Sequence, residues 1–309
     1  MRVLVVGAGA VGGYFGGRLL EKGEDVTFLV RNRRKEQLLK TGLVIKSQHG
    51  DALLRPQLLV SGEQPEPYDV ILLSMKAYQL DAAISDIAPY VGADTLIIPL
   101  LNGMAHVEKL AHAFGKETIL GGLCFVEATL DQDGAVVQTS AIHDLVFGIR
   151  NGEQTERIKR ITEAFSETKS NFVLSDNINQ AMWQKYLFIT TLAGITTLFR
   201  SPLGPIRDES LGALTMKQTL QEAEQIMRSI GAPLGEEIVE NNWDKLHSIE
   251  ATIKSSMQRD MEKGLPVEAD HFYGYLLNIA KENGIAAPTL EKIYANLKIY
   301  ERQMGFRWG

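Results

Sequence analysis

The segment Gly7-Ala-Gly9-Ala-Val-Gly12 follows the compact apolar run Val3–Val6 and opens a helical stretch that reaches Lys22, where Gly23 ends it. A second β-branched run, Asp25–Val30, comes next. Strand, glycine loop, helix and strand within 30 residues describe the opening of a dinucleotide-binding βαβ unit, and few other folds begin this way. Each glycine has its own task. Gly7 permits the tight turn, Gly9 lets the backbone approach a pyrophosphate, and Gly12 allows close packing of helix on sheet. The N–H groups of Ala10, Val11 and Gly12 at the helix start then offer donors and partial positive charge to the phosphates. A flavin dinucleotide could use the same loop, and a glycine-rich turn without ligand is the plain alternative.

The end of the second strand selects the cofactor. Domains specific for NAD place Asp or Glu there to hold the ribose 2′-OH. This chain places Arg31, nineteen residues after Gly12, followed by Asn32, Arg33 and Arg34. A carboxylate repels a 2′-phosphate, whereas a guanidinium can pair with it bidentately. The expectation is NADP(H). Arg33 and Arg34 read as a solvated basic loop, Arg31 as the strand-end residue. Lys76 follows the apolar strand 69–74, and Asn102 follows the strand 95–100. Ligands of open α/β sheets bind beyond the carboxyl ends of the strands, so both are candidates for the cofactor site.

Strands alternating with helices predict an N-terminal Rossmann-type, doubly wound parallel sheet. Segments 119–129 and 135–149 are also rich in strand formers, with Asp131–Gly134 as the turn between them. From about Asp176 the pattern becomes helical. Leu220, Ala223, Met227 and Ile230 are spaced 3, 4 and 3 apart, giving one apolar face that ends at Gly231-Ala-Pro233. Further helices are expected near 248–263, 269–283 and 289–304. With 309 residues, more than one core usually serves, the chain divides into an NADP-binding domain, 1–175, and an all-α substrate and dimerisation domain, 176–309. The apolar stripe reads as core or dimer surface, which leaves a homodimer open.

The net charge of −6 argues against a nucleic-acid surface. Tyr186–Phe199, the longest weakly polar stretch, is 14 residues long and too short to cross a bilayer. The N-terminal apolar run is too brief for a signal peptide, so the cytoplasm is the expected location. Cys124, the single cysteine, precludes an internal disulfide and reads as an inert residue of a buried strand. The six histidines form no ligand motif, and no metal is expected.

The pieces GAGAVGGYFGGRL (7–19), LVR (29–31), SMKAYQ (74–79), LNGM (101–104), WQKY (183–186), SSMQRDMEKGLPVEAD (255–270) and GIAAPT (284–289) resemble, in order and spacing, the ketopantoate reductase (2-dehydropantoate 2-reductase) family. The resemblance spans nearly the whole chain. It implies a Rossmann domain and an all-α domain with the active site between them. Arg31 and Lys76 then match residues that hold the 2′-phosphate side of NADPH. Asn102 matches an asparagine near nicotinamide and substrate, Lys185 the catalytic lysine, Ser256 a serine for the substrate carboxylate, and Glu268 an acid that works beside the lysine, the substrate and the cofactor. The chemistry is coherent. Hydride delivery to a ketone leaves charge on oxygen, which a charged lysine can stabilise and protonate, and a neighbouring carboxylate helps keep that lysine charged.

One departure bears on the substrate. The family pattern places asparagines four and eight residues after the lysine, and here Ile189 and Ala193 stand there. The implied activity is NADPH-dependent reduction of a 2-keto acid, with ketopantoate and pantothenate biosynthesis the first reading. A more apolar 2-keto acid, a related hydroxyacid dehydrogenase activity, and a non-catalytic NADP(H) sensor are the alternatives. Thr190 or Thr191 could replace the amides only if the helix were rotated.

Overall fold

The computed structural model describes residues 1–64, 66–150 and 155–306. They form two compact units, Met1–Asn102 with His106–Ile178, and Gly103–Ala105 with Asn179 onward.

The first unit is built on a five-stranded parallel sheet. Its strands are β1 (Arg2–Val6), β2 (Asp25–Leu29), β5 (Gln57–Leu59), β6 (Val70–Leu73) and β7 (Leu96–Pro99), in the order β5-β2-β1-β6-β7. Between them run α1 (Ala10–Lys22), α2 (Asn32–Thr41) and α3 (Leu80–Ile87), with α4 (Ala105–Phe114) after β7. Side chains alternate across a strand, so β1 feeds two cores. Val3 and Val5 pack with Tyr14, Phe15 and Leu19 of α1, while Leu4 and Val6 pack with Leu80 and Ile87 of α3 and Leu110 of α4.

A second, mixed sheet covers α1. It contains β3 (Leu43–Ser47), β4 (Ala52–Leu54), β8 (Gly121–Leu130), β9 (Val136–Gly148) and β10 (Asn171–Leu174), with α5 (Glu156–Phe165) leading into β10. The expected β-rich segments 119–129 and 135–149 are therefore one antiparallel hairpin, β8–β9, outside the parallel sheet. Asp131 holds its turn by accepting from the N–H groups of Asp133 and Ala135.

The second unit is helical: α6 (Ile178–Phe199), α7 (Leu203–Asp208), α8 (Ser210–Ser229), α9 (Ile238–Ser248), α10 (Ser256–Glu262), a π-helical turn (Asp270–Gly274), α11 (Tyr275–Glu282) and α12 (Pro288–Gln303). The Glu222 carboxylate on α8 caps α12 by accepting from the N–H groups of Thr289 and Leu290. Leu220, Ala223 and Met227 are fully buried, so the apolar stripe is core, except for Ile230, which lies past the end of α8 and is exposed.

Three local expectations need correction. The helix expected over 248–263 is broken. Arg207 donates to the carbonyls of Leu246, His247 and Ile249, and the N–H groups of Leu203 and Gly204 take those of Ile253 and Ala251. With these carbonyls occupied, the chain becomes extended at Ile249 and makes a turn closed by Ile253 N–H on the Glu250 carbonyl before Ser255 starts α10. Cys124 is half-buried rather than buried. Arg33 and Arg34 are not in a loop, because α2 begins at Asn32. Periodicity does not expose that start, since the first turn of α2 carries only polar and charged residues.

Candidate active site

Four adjacent strands of the parallel sheet end together. Val6 pairs with Leu29 and Leu73, and Leu73 pairs with Pro99. The glycine loop, Arg31, Lys76 and Asn102 follow β1, β2, β6 and β7, so they all leave the same edge of the sheet. Neighbouring strands lie about 4.8 Å apart, which makes this edge a continuous platform.

The glycines divide by what surrounds them. Gly7 has φ +93°, its N–H donates to the Leu29 carbonyl at 3.0 Å, and an added Cβ would lie 2.7 Å from the Ser74 carbonyl oxygen. A Cβ on Gly12 would meet Gly7 oxygen at 2.2 Å. Both are packing glycines. Around a Cβ on Gly9 there is no atom within 4 Å. That open space is what a bound group needs beside the backbone. Gly9 starts α1, the first intrahelical bond runs from Gly13 N–H to Gly9 oxygen, and the first turn has no acidic residue. The N–H groups of Ala10, Val11 and Gly12 have no intrahelical acceptor. Free donors, open space and absence of negative charge fit a pyrophosphate.

Arg31 is the N-terminal flanking residue of α2, exposed, with its guanidinium unengaged by any described residue. Lys76 precedes a short 3-10 turn, Ala77–Gln79, and is half-buried, as is Asn102. The sequence reading missed Arg34. Its Nε donates to the Ala8 carbonyl at 3.1 Å and its Nη1 to Gln37 Oε1 at 2.7 Å. The available signal was its place in the first turn of α2, three residues after Arg31.

In the helical unit, α6 organises the remaining candidates. Lys185 is half-buried on it. The next residue, Tyr186, is buried and donates to the Phe272 carbonyl at 2.5 Å, and Tyr273 donates to the Thr190 carbonyl at 2.8 Å. Burial raises both phenols well above their ordinary range, which keeps them neutral donors. Phe272 N–H in turn donates to the Glu268 carbonyl at 3.0 Å. The backbone of Glu268 is thereby tied to the stretch of α6 that carries Lys185. Ser256 is attached further along. Thr196 and Ser255 hydroxyls lie 2.8 Å apart, and Ser255 caps α10, whose first residue is the exposed Ser256. Thr196 lies eleven residues beyond Lys185, about 16 Å along the helix axis.

Gly103, next to Asn102, has φ +85°, and a Cβ there would stand 3.0 Å from His271 Nε2 and 3.7 Å from Tyr186. Only glycine combines this backbone with so close an imidazole. Ile189 is half-buried and Ala193 buried. Thr190 and Thr191 are fully buried, and the Thr191 hydroxyl donates to the Leu187 carbonyl. The Thr190 hydroxyl is buried without a partner. Neither threonine is exposed as a replacement for the amides.

Comparison with known proteins gives the family. Residues 3–152 match the family model described as ketopantoate reductase PanE/ApbA, and residues 177–301 match its C-terminal counterpart. The chain is 48% identical over 303 residues to the uncharacterised oxidoreductase YkpB of Bacillus subtilis, covering 98% of this chain and 100% of that one. It resembles the crystal structure of 2-dehydropantoate 2-reductase from Geobacter metallireducens with a TM-score of 0.87 at 27% identity, over 97% and 99% of the two chains. A D-mandelate dehydrogenase solved with NADH and anilino(oxo)acetate shares the fold, with a TM-score of 0.89 at 21% identity over 99% and 100%. No helix among the described residues is long and apolar enough to cross a membrane. With one family model matching over residues 3–152 and its C-terminal counterpart over 177–301, the chain is an oxidoreductase belonging to the ketopantoate reductase family.

Proposed function

We propose that this protein uses NADPH to reduce a 2-keto acid to the 2-hydroxy acid. The observation that carries the cofactor reading is Arg31, an unengaged guanidinium beyond β2 where an NAD-specific domain carries a carboxylate. When bound, NADPH supplies the hydride. The chain's residues do the rest. The glycine loop and the α1 N-terminus hold the pyrophosphate, and Arg31 with Lys76 holds the 2′-phosphate. Asn102 and Ser256 bind the polar groups of the keto acid, Ser256 its carboxylate. Lys185, in its charged form, donates a hydrogen bond to the ketone oxygen, stabilises the charge that develops there and delivers the proton. Glu268 favours the charged lysine and orients the nascent hydroxyl.

Ketopantoate, and with it a role in pantothenate biosynthesis, is the first substrate reading. A second rests on Ile189 and Ala193. Ile189, half-buried on α6, offers contact to an alkyl or aryl substituent, and with Ala193 buried four residues on, neither position offers a partner to a terminal hydroxyl. The D-mandelate dehydrogenase of the same fold, solved with anilino(oxo)acetate, a ligand with an aryl group, supports this reading. A panel of 2-keto acids with NADPH decides between the two. Efficient turnover of ketopantoate alone sinks the apolar reading. Lys185→Ala should lower kcat by about 10²- to 10⁴-fold while NADPH still binds. Wild-type protein that binds NADPH but oxidises it with no keto acid would instead be a sensor.

A further inference from the structure

Arg34 is placed unlike an ordinary helix-surface arginine. Its guanidinium bridges two loops that are distant in sequence. On one side Nε donates to Ala8 oxygen inside the glycine loop. On the other, Nη1 donates to Gln37 Oε1, while Gln37 Nε2 donates to the Asp133 carbonyl in the β8–β9 turn. Gly134 completes this side, since a Cβ there would stand 2.6 Å from Nη1. The remaining nitrogen, Nη2, is buried without a hydrogen-bond partner. The guanidinium has no ion-pair partner among the described residues, and burial lowers its pKa with nothing to oppose it. Asp131, in the same turn, is engaged by Lys46 at 2.7 Å.

A half-buried charge without a counter-ion and with one buried, unmet donor is unfavourable in isolation. Its hydrogen bond to the glycine loop gives it a use. The C=O and N–H of a trans peptide point in opposite directions. With Ala8 oxygen held by Arg34, Gly9 N–H is aimed away from the guanidinium, and the positive charge on the carbonyl side polarises that peptide as a donor. Beside Gly9 the loop is open, and the first turn of α1 carries no carboxylate. We infer that Arg34 is a positioning residue for the dinucleotide pyrophosphate: it fixes the Ala8–Gly9 peptide and supplies a positive charge whose counter-charge is the pyrophosphate. This rests on the dinucleotide-site reading above. It differs from the role assigned to Arg31, because the pyrophosphate is common to NADPH and NADH whereas the 2′-phosphate is not.

The test is titration of NADPH and of NADH by nicotinamide fluorescence into wild type, Arg34→Met, Arg34→Lys and Gln37→Ala. Arg34→Met should raise both dissociation constants by the same factor, about tenfold, the loss of one charge-assisted contact. Arg34→Lys keeps the charge and a donor and should recover most of the affinity. Gln37→Ala breaks the link to the β8–β9 turn but leaves the Ala8 contact, and should bind as wild type. Should Arg34→Met fail to fold, Arg34→Gln, which keeps a donor but no charge, is expected to weaken both dinucleotides alike. The proposal is overturned if the neutral variant binds both as wild type, or if it loses NADPH alone. Loss in Gln37→Ala equal to that in Arg34→Met would also overturn it, making Arg34 only a strut between loops. Wild type that binds neither dinucleotide overturns the cofactor assignment itself, an outcome distinct from all of these.

Discussion

Thr196 Oγ1 and Ser255 Oγ lie 2.8 Å apart in a buried contact that fastens the start of α10 to the helix carrying Lys185. Thr196 also donates to the Leu192 carbonyl at 2.7 Å, so Ser255 is the donor in the pair. Ser255 Oγ meanwhile accepts from Gln258 N–H and so begins α10. Thr196→Val keeps the shape and removes the acceptor. The Ser255 proton is then buried without a partner, which destabilises by about 1–3 kcal/mol. The urea midpoint should fall accordingly, and KM for the keto acid should rise because Ser256 loses its anchor. An unchanged KM with the same loss of stability would remove Ser256 from the substrate site.

Arg31→Ala tests the 2′-phosphate reading. Removing one bidentate charge-assisted contact corresponds to about 1.5–3 kcal/mol, so the dissociation constant for NADPH should rise roughly tenfold to a hundredfold. That for NADH should hardly move. Because Arg31 is exposed and bonds to no described side chain, thermal stability should stay at the wild-type value. Equal losses for the two dinucleotides would place Arg31 elsewhere than at the 2′-phosphate.

Ile189→Asn tests the substrate. The position is half-buried, so a side chain of similar size can be tolerated. If Ile189 contacts the substrate, the amide should shift preference from apolar 2-keto acids toward hydroxylated ones, lowering the ratio of their kcat/KM values by about tenfold or more. A ratio that does not change in the variant, measured against the same panel, shows that Ile189 does not contact the substrate.

His143 predicts a pH dependence of stability in the first unit. Its Nδ1 is 2.7 Å from the Tyr14 hydroxyl, and its ring stacks on His49 with centroids 3.6 Å apart. Burial holds its pKa below the ordinary value, with the His49 and Arg18 charges adding to the effect and Asp144 opposing it. A histidine depressed in the folded state binds its proton more readily when unfolded. Stability is therefore full above the unfolded value of 6.5 and declines as pH falls from there toward the folded pKa. His143→Gln should flatten the decline in thermal midpoint between roughly pH 7 and pH 5. A wild-type midpoint that rises on acidification through this range would contradict the assignment.

The βαβ opening and the helical second half are legible in the sequence because their signals are local. A glycine pattern sits between an apolar strand and a helix, and apolar spacing changes period near Asp176. The site residues of each unit could be nominated from their neighbours in sequence and from the family resemblance. What remained hidden depends on partners distant in the chain. The helix expected at 248 stops because residues 203–207 claim its carbonyls and offer N–H groups to the following turn. The hairpin β8–β9 joins a separate sheet because β3 and β10 pair with β9.

The sequence by itself determined the opening strand, glycine loop, helix and second strand, put Arg31 just beyond that strand and followed them with a helical part carrying Lys185. Short-range pattern suffices for each of these. Only the tertiary structure decided that Gly9, alone of the three loop glycines, faces open space, that Thr190 and Thr191 are buried, and that the half-buried Arg34 bonds to the loop at Ala8. Each of those depends on which atoms fill the volume around a side chain, and that volume is closed by residues far away in the sequence.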